Sequence, residues 1–336
     1  MSFRKQPPLV NAPAIPLAQF VLQHAAQRGP KAALIDGASG RTLSYAQLWA
    51  QVRHVAKSLV QRGYRKGDVF ALYSPNLPAY AVALHAITTL GGVVTPVNPR
   101  CAPNALAAHL NAARAKCLLT TSAGLNKVLQ IVEQTPLREI FTFDSAPRAK
   151  HFAEFCESVL QENELPTDAL IDARHDLAVL LYDAGNSVAL QKEAHTHHSF
   201  ALNLLQLASI EADQPPAARD VFLGVAPFHH SHGLLLLNYA LYHGATVVTL
   251  PRCEPQVFLH TLQKYRVTRA PLMSPLVELL ATDALVEKYD LSALQTIYAT
   301  GAALDETNAR RCAPRLHCRV TRIEVMNKAG KAVAEL

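Results

Sequence analysis

Three stretches hold residues whose types and spacing can do chemistry. The first is DAGNSVALQK (183–192), where Gly185 and the hydroxyl of Ser187 follow an apolar run and precede Lys192. A strand, a glycine-containing loop and a helix can cradle phosphate, because backbone N–H groups converge on the anion. This loop has one glycine, and Lys192 stands beside Glu193, so on its own it reads as a poor phosphate loop and more readily as an ordinary connection. The second is PFHHSHG (227–233), which sets Phe228 and three imidazoles between a strand and an apolar helix. The third is ATGAAL (299–304), where Gly301 and small neighbours let a flat ligand approach the backbone.

The histidines invite a metal reading. His195, His197 and His198, and again His229, His230 and His232, include H-x-H spacings that put two rings on one face of an extended segment. No third ligand type recurs at a fixed spacing, and hydrogen-bonded histidines near a cleft explain them as well. No metal is expected. Ser231 lies between two histidines and not in a G-x-S-x-G elbow, which disfavours a hydrolase nucleophile.

The elements that must position these stretches alternate in type. Apolar runs such as VFALYS (69–74), LAVLLY (177–182), DVFLGVA (220–226), ATVVTL (245–250) and LQTIYAT (294–300) read as strands. Between them lie helical spacings of 10–15 residues, which is the pattern of βαβ units and an α/β fold with mostly parallel sheets. Such sheets place ligands beyond the carboxyl ends of their strands. The Pro-punctuated, polar stretch 145–176 reads as one helix and a connector. The expected division is therefore 1–176, a first α/β subdomain with its connector; 177–321, a second carrying the loop; and 322–336, a polar tail.

Composition bounds the function. The chain has 336 residues, 50% of them hydrophobic and 17% charged, and a formal net charge of +6 without a dense basic block. That is a globular balance, and it gives nucleic-acid binding little support. Six cysteines without a CxxC pair suit reduced thiols in a cytoplasmic protein. The Pro-interrupted start lacks the apolar core of a secretory signal, and the most apolar stretch, 233–250, is broken by Asn238, His243 and Gly244, so no membrane span is expected.

Order and spacing add a resemblance. TLSYAQLWAQVRHVAKSLVQRGYRKGDVFALYSPNLPAYAVALHAITTLGGVVTPVNP (42–99) is similar to the start of adenylate-forming enzymes, in the acyl- and aryl-CoA ligase branch of 4-coumarate and fatty-acid type. LAVLLYDAGNSVALQKEAHTH falls where that family has its phosphate loop, PFHHSHG where it has P-F-F-H-x-x-G, and VEKYDLSALQTIYATGAAL where it has Y-D-L-S-S-L…S-G-A-A-P-L. The resemblance implies the fold of the family's N-terminal domain and a two-step reaction. A carboxylate attacks the α-phosphate of Mg-ATP to give an acyl-adenylate and pyrophosphate, and the CoA thiol then displaces AMP. It implies that Gly185, Ser187, Lys192, Thr300, Gly301, Ala302 and Ala303 face the nucleotide. It implies that Phe228, His230 and Gly233 line the acyl pocket. The implied partners are a small carboxylic acid, ATP or AMP, and CoA.

The departures from the family pattern bear on activity. Against Y-S-S-G-T-T-G-x-P-K-G, Asp183 and Ala184 replace two serines, Asn186 a threonine, Val188 a glycine, Leu190 the proline, Gln191 the lysine and Lys192 the last glycine. Val188 resists the positive φ that glycine permits, Asp183 brings negative charge toward polyphosphate, and Gln191 removes a cation. Beyond 321 the family continues Q-G-Y-G-M-T-E, of which only Met326 remains, and the family's hinge and C-terminal domain have no counterpart before Leu336. The expectation is a catalytically impaired relative, a pseudoenzyme or an acyl- or nucleotide-binding remnant. The alternatives are an active ligase completed by a second polypeptide, and a non-catalytic scaffold whose uncovered surface meets a protein partner or a second copy.

Overall fold

The computed structural model describes residues 10–157, 171–183, 191–251, 253–300, 306–323 and 334–335. In chain order the strands are β1 (Ala32–Asp36), β2 (Thr42–Ser44), β3 (Val69–Tyr73), β4 (Val93–Pro96), β5 (Cys117–Thr120), β6 (Glu139–Thr142), β7 (Lys150–His151) and β8 (Leu177–Asp183). They continue as β9 (Gln191–Thr196), β10 (Val221–Gly224), β11 (Thr246–Thr249), β12 (Arg269–Met273), β13 (Thr296–Thr300), β14 (Arg319–Ile323) and β15 (Ala334–Glu335).

Two compact units result. One gathers Gln27–Tyr45 and Leu202–Leu336 around an eight-stranded sheet, order β15-β14-β13-β12-β10-β11-β1-β2. Its inner pairs are parallel, and the edge pairs β1/β2 and β14/β15 are antiparallel. The other gathers Ala12–Ala26 and Ala46–Ala201 around a seven-stranded sheet, order β7-β6-β5-β3-β4-β8-β9, antiparallel only at β8/β9. Parallel strands need covering helices on both faces, so they read as unbroken apolar runs. β4, β5 and β11 are buried at every position. The crossover helices start on proline, as at Pro78, Pro103 and Pro255, where the missing N–H costs nothing.

The α/β alternation read from the sequence is the observed architecture. Sheet membership, however, follows pairing and not chain order. β8 bonds onto β4, which puts 177–201 with the seven-stranded sheet and not with 202–321. β1 pairs with β11 and joins the eight-stranded sheet. Of the expected tail, Arg322 and Ile323 complete β14, and β15 pairs back onto it.

Candidate functional site

The loop of 183–192 grows out of a hairpin. β8 runs up with Leu180 and Leu181 buried, and β9 returns antiparallel, with Tyr182 opposite Lys192 and Asp183 opposite Gln191. The sequence pattern leads from the loop straight into a helix. Gln191–Thr196 is instead a strand, and the helix His197–Ile210 begins after it. Gly185 and Ser187 lie in 184–190, outside the described residues. Lys192 is exposed.

The hairpin's base is held by a chain of polar contacts. The Thr95 hydroxyl donates to Leu180 O at 2.8 Å and lies 2.8 Å from His109 Nε2. Its one proton is used, so Nε2 of neutral His109 carries the hydrogen. Burial pushes the His109 pKa down to about 4, which keeps the ring neutral. The Tyr182 ring packs edge-on against His109, at 4.8 Å between centroids, and its hydroxyl donates to Ala112 O at 3.0 Å.

The first histidine group is structural in its contacts. His195 is buried, with Nε2 3.2 Å from Glu193 Oε1 and its ring edge-on to Phe200. His197 Nδ1 accepts the Leu17 N–H at 3.0 Å, and burial holds its pKa at about 4. His198 Nε2 donates to Ala12 O at 3.2 Å. Among the described residues no group of three or more His, Cys, Asp or Glu is arranged to hold a metal ion.

The second stretch turns from β10 into the helix Ser231–His243. Phe228 is buried beneath the turn, where a Cβ on Gly224 would meet its ring at 3.3 Å. His230 is exposed and is the helix N-cap, in extended conformation, with its carbonyl accepting from Leu234 N at 3.0 Å. Its ring lies 4.3 Å from that of His229. Gly233 sits in the first turn, and a Cβ there would stand 2.1 Å from Pro227 O, so only glycine lets the strand-to-helix turn close this tightly. The structure thus places Phe228 and Gly233 in the packed turn and His230 at its surface.

The third stretch ends β13. Thr300 pairs with Met273 and Ile323, and the preceding Ala299 is wholly buried. Gly301, Ala302 and Ala303 lie in 301–305, outside the described residues. β10, β12 and β13 are parallel, so the turn 225–230 and Thr300 leave the same, carboxyl end of one sheet.

The opposite, amino end of that sheet holds a buried ionic network that sequence reasoning missed. Arg269, at the start of β12, donates from Nε to Asp220 at 2.9 Å, and from Nη1 to Glu211 at 3.2 Å and the Tyr298 hydroxyl at 2.8 Å. Its Nη2 reaches Gln214 O and Pro215 O, at 3.0 and 3.2 Å. Tyr298 donates to Glu211 at 2.7 Å, Thr268 to Asp220 at 3.0 Å, and Arg319 also reaches Glu211. Despite desolvation, Tyr298 and Asp220 hold the guanidinium pKa above its ordinary value. A lone arginine inside VTRAP was the only signal available.

Comparison with known proteins accords with this geometry. The model of the AMP-binding enzyme family matches residues 21–326. A 4-coumarate–CoA ligase of Petroselinum crispum is 29% identical over 308 residues, covering 90% of this chain and 55% of that protein. Among solved structures, a long-chain-fatty-acid–CoA ligase of Archaeoglobus fulgidus superposes with a TM-score of 0.84 at 20% identity, over 99% of this chain and 68% of that one. A red-emitting luciferase of Phrixothrix hirtus gives 0.83 at 21% identity, over 94% and 61%. The chain spans about half the length of the curated relatives it matches, 55% in the case of the Petroselinum crispum ligase.

Proposed function

We propose a function from one premise: the chain belongs to the AMP-binding enzyme family. On that scaffold it is an acyl- or aryl-CoA-ligase-type protein whose own adenylation step is impaired. It keeps a pocket for a small carboxylic acid and an adenylate, and grips polyphosphate poorly.

One observation carries the reading: Asp183 stands opposite Gln191 at the neck of the loop. A carboxylate there repels the triphosphate that the family's loop would hold, and an amide offers no compensating charge. Lys192 does not restore it. Lys192 lies one position on, in register with Tyr182 and beside Glu193. Removing a charge-assisted hydrogen bond to phosphate costs about 1.5–3 kcal/mol, and removing two turns micromolar binding into millimolar. The residues present therefore do not fit Mg-ATP, and no catalytic step is assigned to it. The reading takes the chain as cytoplasmic, and among the described residues no helix is long and apolar enough to cross a membrane.

Calorimetric titration of Mg-ATP into the wild type and into Val188→Gly with Gln191→Lys tests it. The expected result is no saturable heat for the wild type at several millimolar and binding by the double variant. Pyrophosphate release by the wild type with any of a panel of carboxylates overturns the proposal. ATP binding by the wild type without turnover favours a ligase completed by a second polypeptide.

A further inference from the structure

The seven-stranded sheet ends in a cavity that the adenylating site does not use. It is an open groove at the β6–β7 edge with a volume of about 440 Å³. The β8–β9 hairpin, which carries the candidate phosphate loop, is the opposite edge of the same sheet. Leu137 and Ile140 form an apolar wall, and Arg138, Glu139, Arg148 and Lys150 supply the charge.

These charges are not balanced within the cavity. The one carboxylate, Glu139, is already engaged by Lys150, by Arg62 at 3.3 Å and by the Tyr64 hydroxyl at 3.0 Å. Lys150 and the Tyr64 hydroxyl hold its pKa below the ordinary carboxylate value against a partial desolvation, so it stays ionised and occupied. Arg138 and Arg148 are exposed, and neither guanidinium has a hydrogen-bond or ion-pair partner among the described residues. Two guanidinium forks without a partner among the described residues thus share a concave site with an apolar wall.

The backbone adds an independent sign. β7 pairs parallel to β6 although only 143–149 connect them. Parallel neighbours ordinarily need a crossover of a dozen or more residues. Arg148 lets this short return close by taking φ +68°, a left-handed conformation that glycine or asparagine adopts far more readily. Among the described residues Arg114, Arg266 and His317 share a positive φ but end helices, whereas Arg148 takes it inside the strand-to-strand return.

We propose that this edge cavity binds a phosphate monoester carried on a small apolar or aromatic body. A phosphate monoester brings between one and a half and two negative charges at neutral pH, on oxygens that guanidinium forks grip bidentately. The volume falls within the range of small-molecule pockets, and Leu137 and Ile140 cover the body.

Phenyl phosphate is the probe, titrated into the full chain by calorimetry, with phenol as the uncharged control. The expected result is saturable binding with Kd below about 1 mM, weakened roughly tenfold or more in Arg138→Ala and in Arg148→Ala, and absent for phenol. Both arginines are exposed, and unchanged thermal midpoints establish that the variants fold. Arg148→Gly, which relieves the positive φ, gives a second variant that folds and loses the ligand. Methyl resonances of Leu137 and Ile140 shift on titration, and those of Leu180 and Leu181 do not. No saturation below about 10 mM, arginine variants that bind like the wild type, or shifts confined to Leu180 and Leu181 each overturn the proposal.

Discussion

The two ends of the eight-stranded sheet are built on opposite plans. At the amino end, Asp220, Arg269, Glu211, Tyr298 and Arg319 come from separate segments and satisfy one another in the interior. At the carboxyl end, Phe228 and Gly233 pack a tight turn, but His230 is exposed and Met273 is 42% exposed. One end is a closed polar lock that tolerates no missing partner; the other is loops over a packed floor. The scaffold's integrity is therefore separable from its site. That separation leaves the turn 227–233 room to vary while the eight-stranded sheet persists.

The contrast can be broken by mutation. The largest effect is expected at Arg269. Arg269→Met leaves Glu211 and Asp220 buried with one guanidinium fewer, and should cost about 3–5 kcal/mol, read as a lowered urea midpoint. Gly233→Ala comes next, because the new Cβ strikes the Pro227 carbonyl, and about 2–3 kcal/mol is expected by the same measurement. Next is a pH effect at the locked end. Burial, Arg269 and Arg28 push the His243 pKa down to about 4, against the opposing pull of Asp220. The unfolded chain therefore binds the extra proton between about pH 6.5 and 4; stability is full above 6.5 and is lost as pH falls toward 4. Because the ring is only partly buried, about 1 kcal/mol of the loss from pH 7 to 5 should be absent in His243→Phe, which keeps the ring packing on Tyr239. The smallest effect is expected at His230→Ala, within about 0.5 kcal/mol. If His230→Ala costs as much as Arg269→Met, the two ends are not separable.

How much of this was legible depended on which interaction decided each element. Buried parallel strands such as VVTP and TVVT declare themselves, because both faces are covered and every position is buried. Gln191–Thr196 did not. QKEAHT carries a polar majority, and only its pairing with β8 makes it a strand. β7 is two residues set by a loop closure, which no periodicity reports. At the site, residue types and motif order were readable, but the packed role of Gly233 needed the distance to the Pro227 carbonyl. The Arg269 network was invisible because its members are dispersed along the chain, up to 108 positions apart, and charge partners carry no sequence period.

β1 sits between β2 and β11, and Thr249 Oγ1 donates to Ile35 O across 214 residues of sequence. During synthesis the apolar strand AALID thus emerges long before the strand that completes its pairing. At about 5–20 residues per second the wait is roughly 10–40 s. The seven-stranded unit has all its strands in that interval, while Gln27–Tyr45 waits as an open edge. An open apolar edge is a template for a neighbouring nascent chain. The order of translation thus leaves Gln27–Tyr45 open to pairing with a neighbouring chain until Thr246–Thr249 is made.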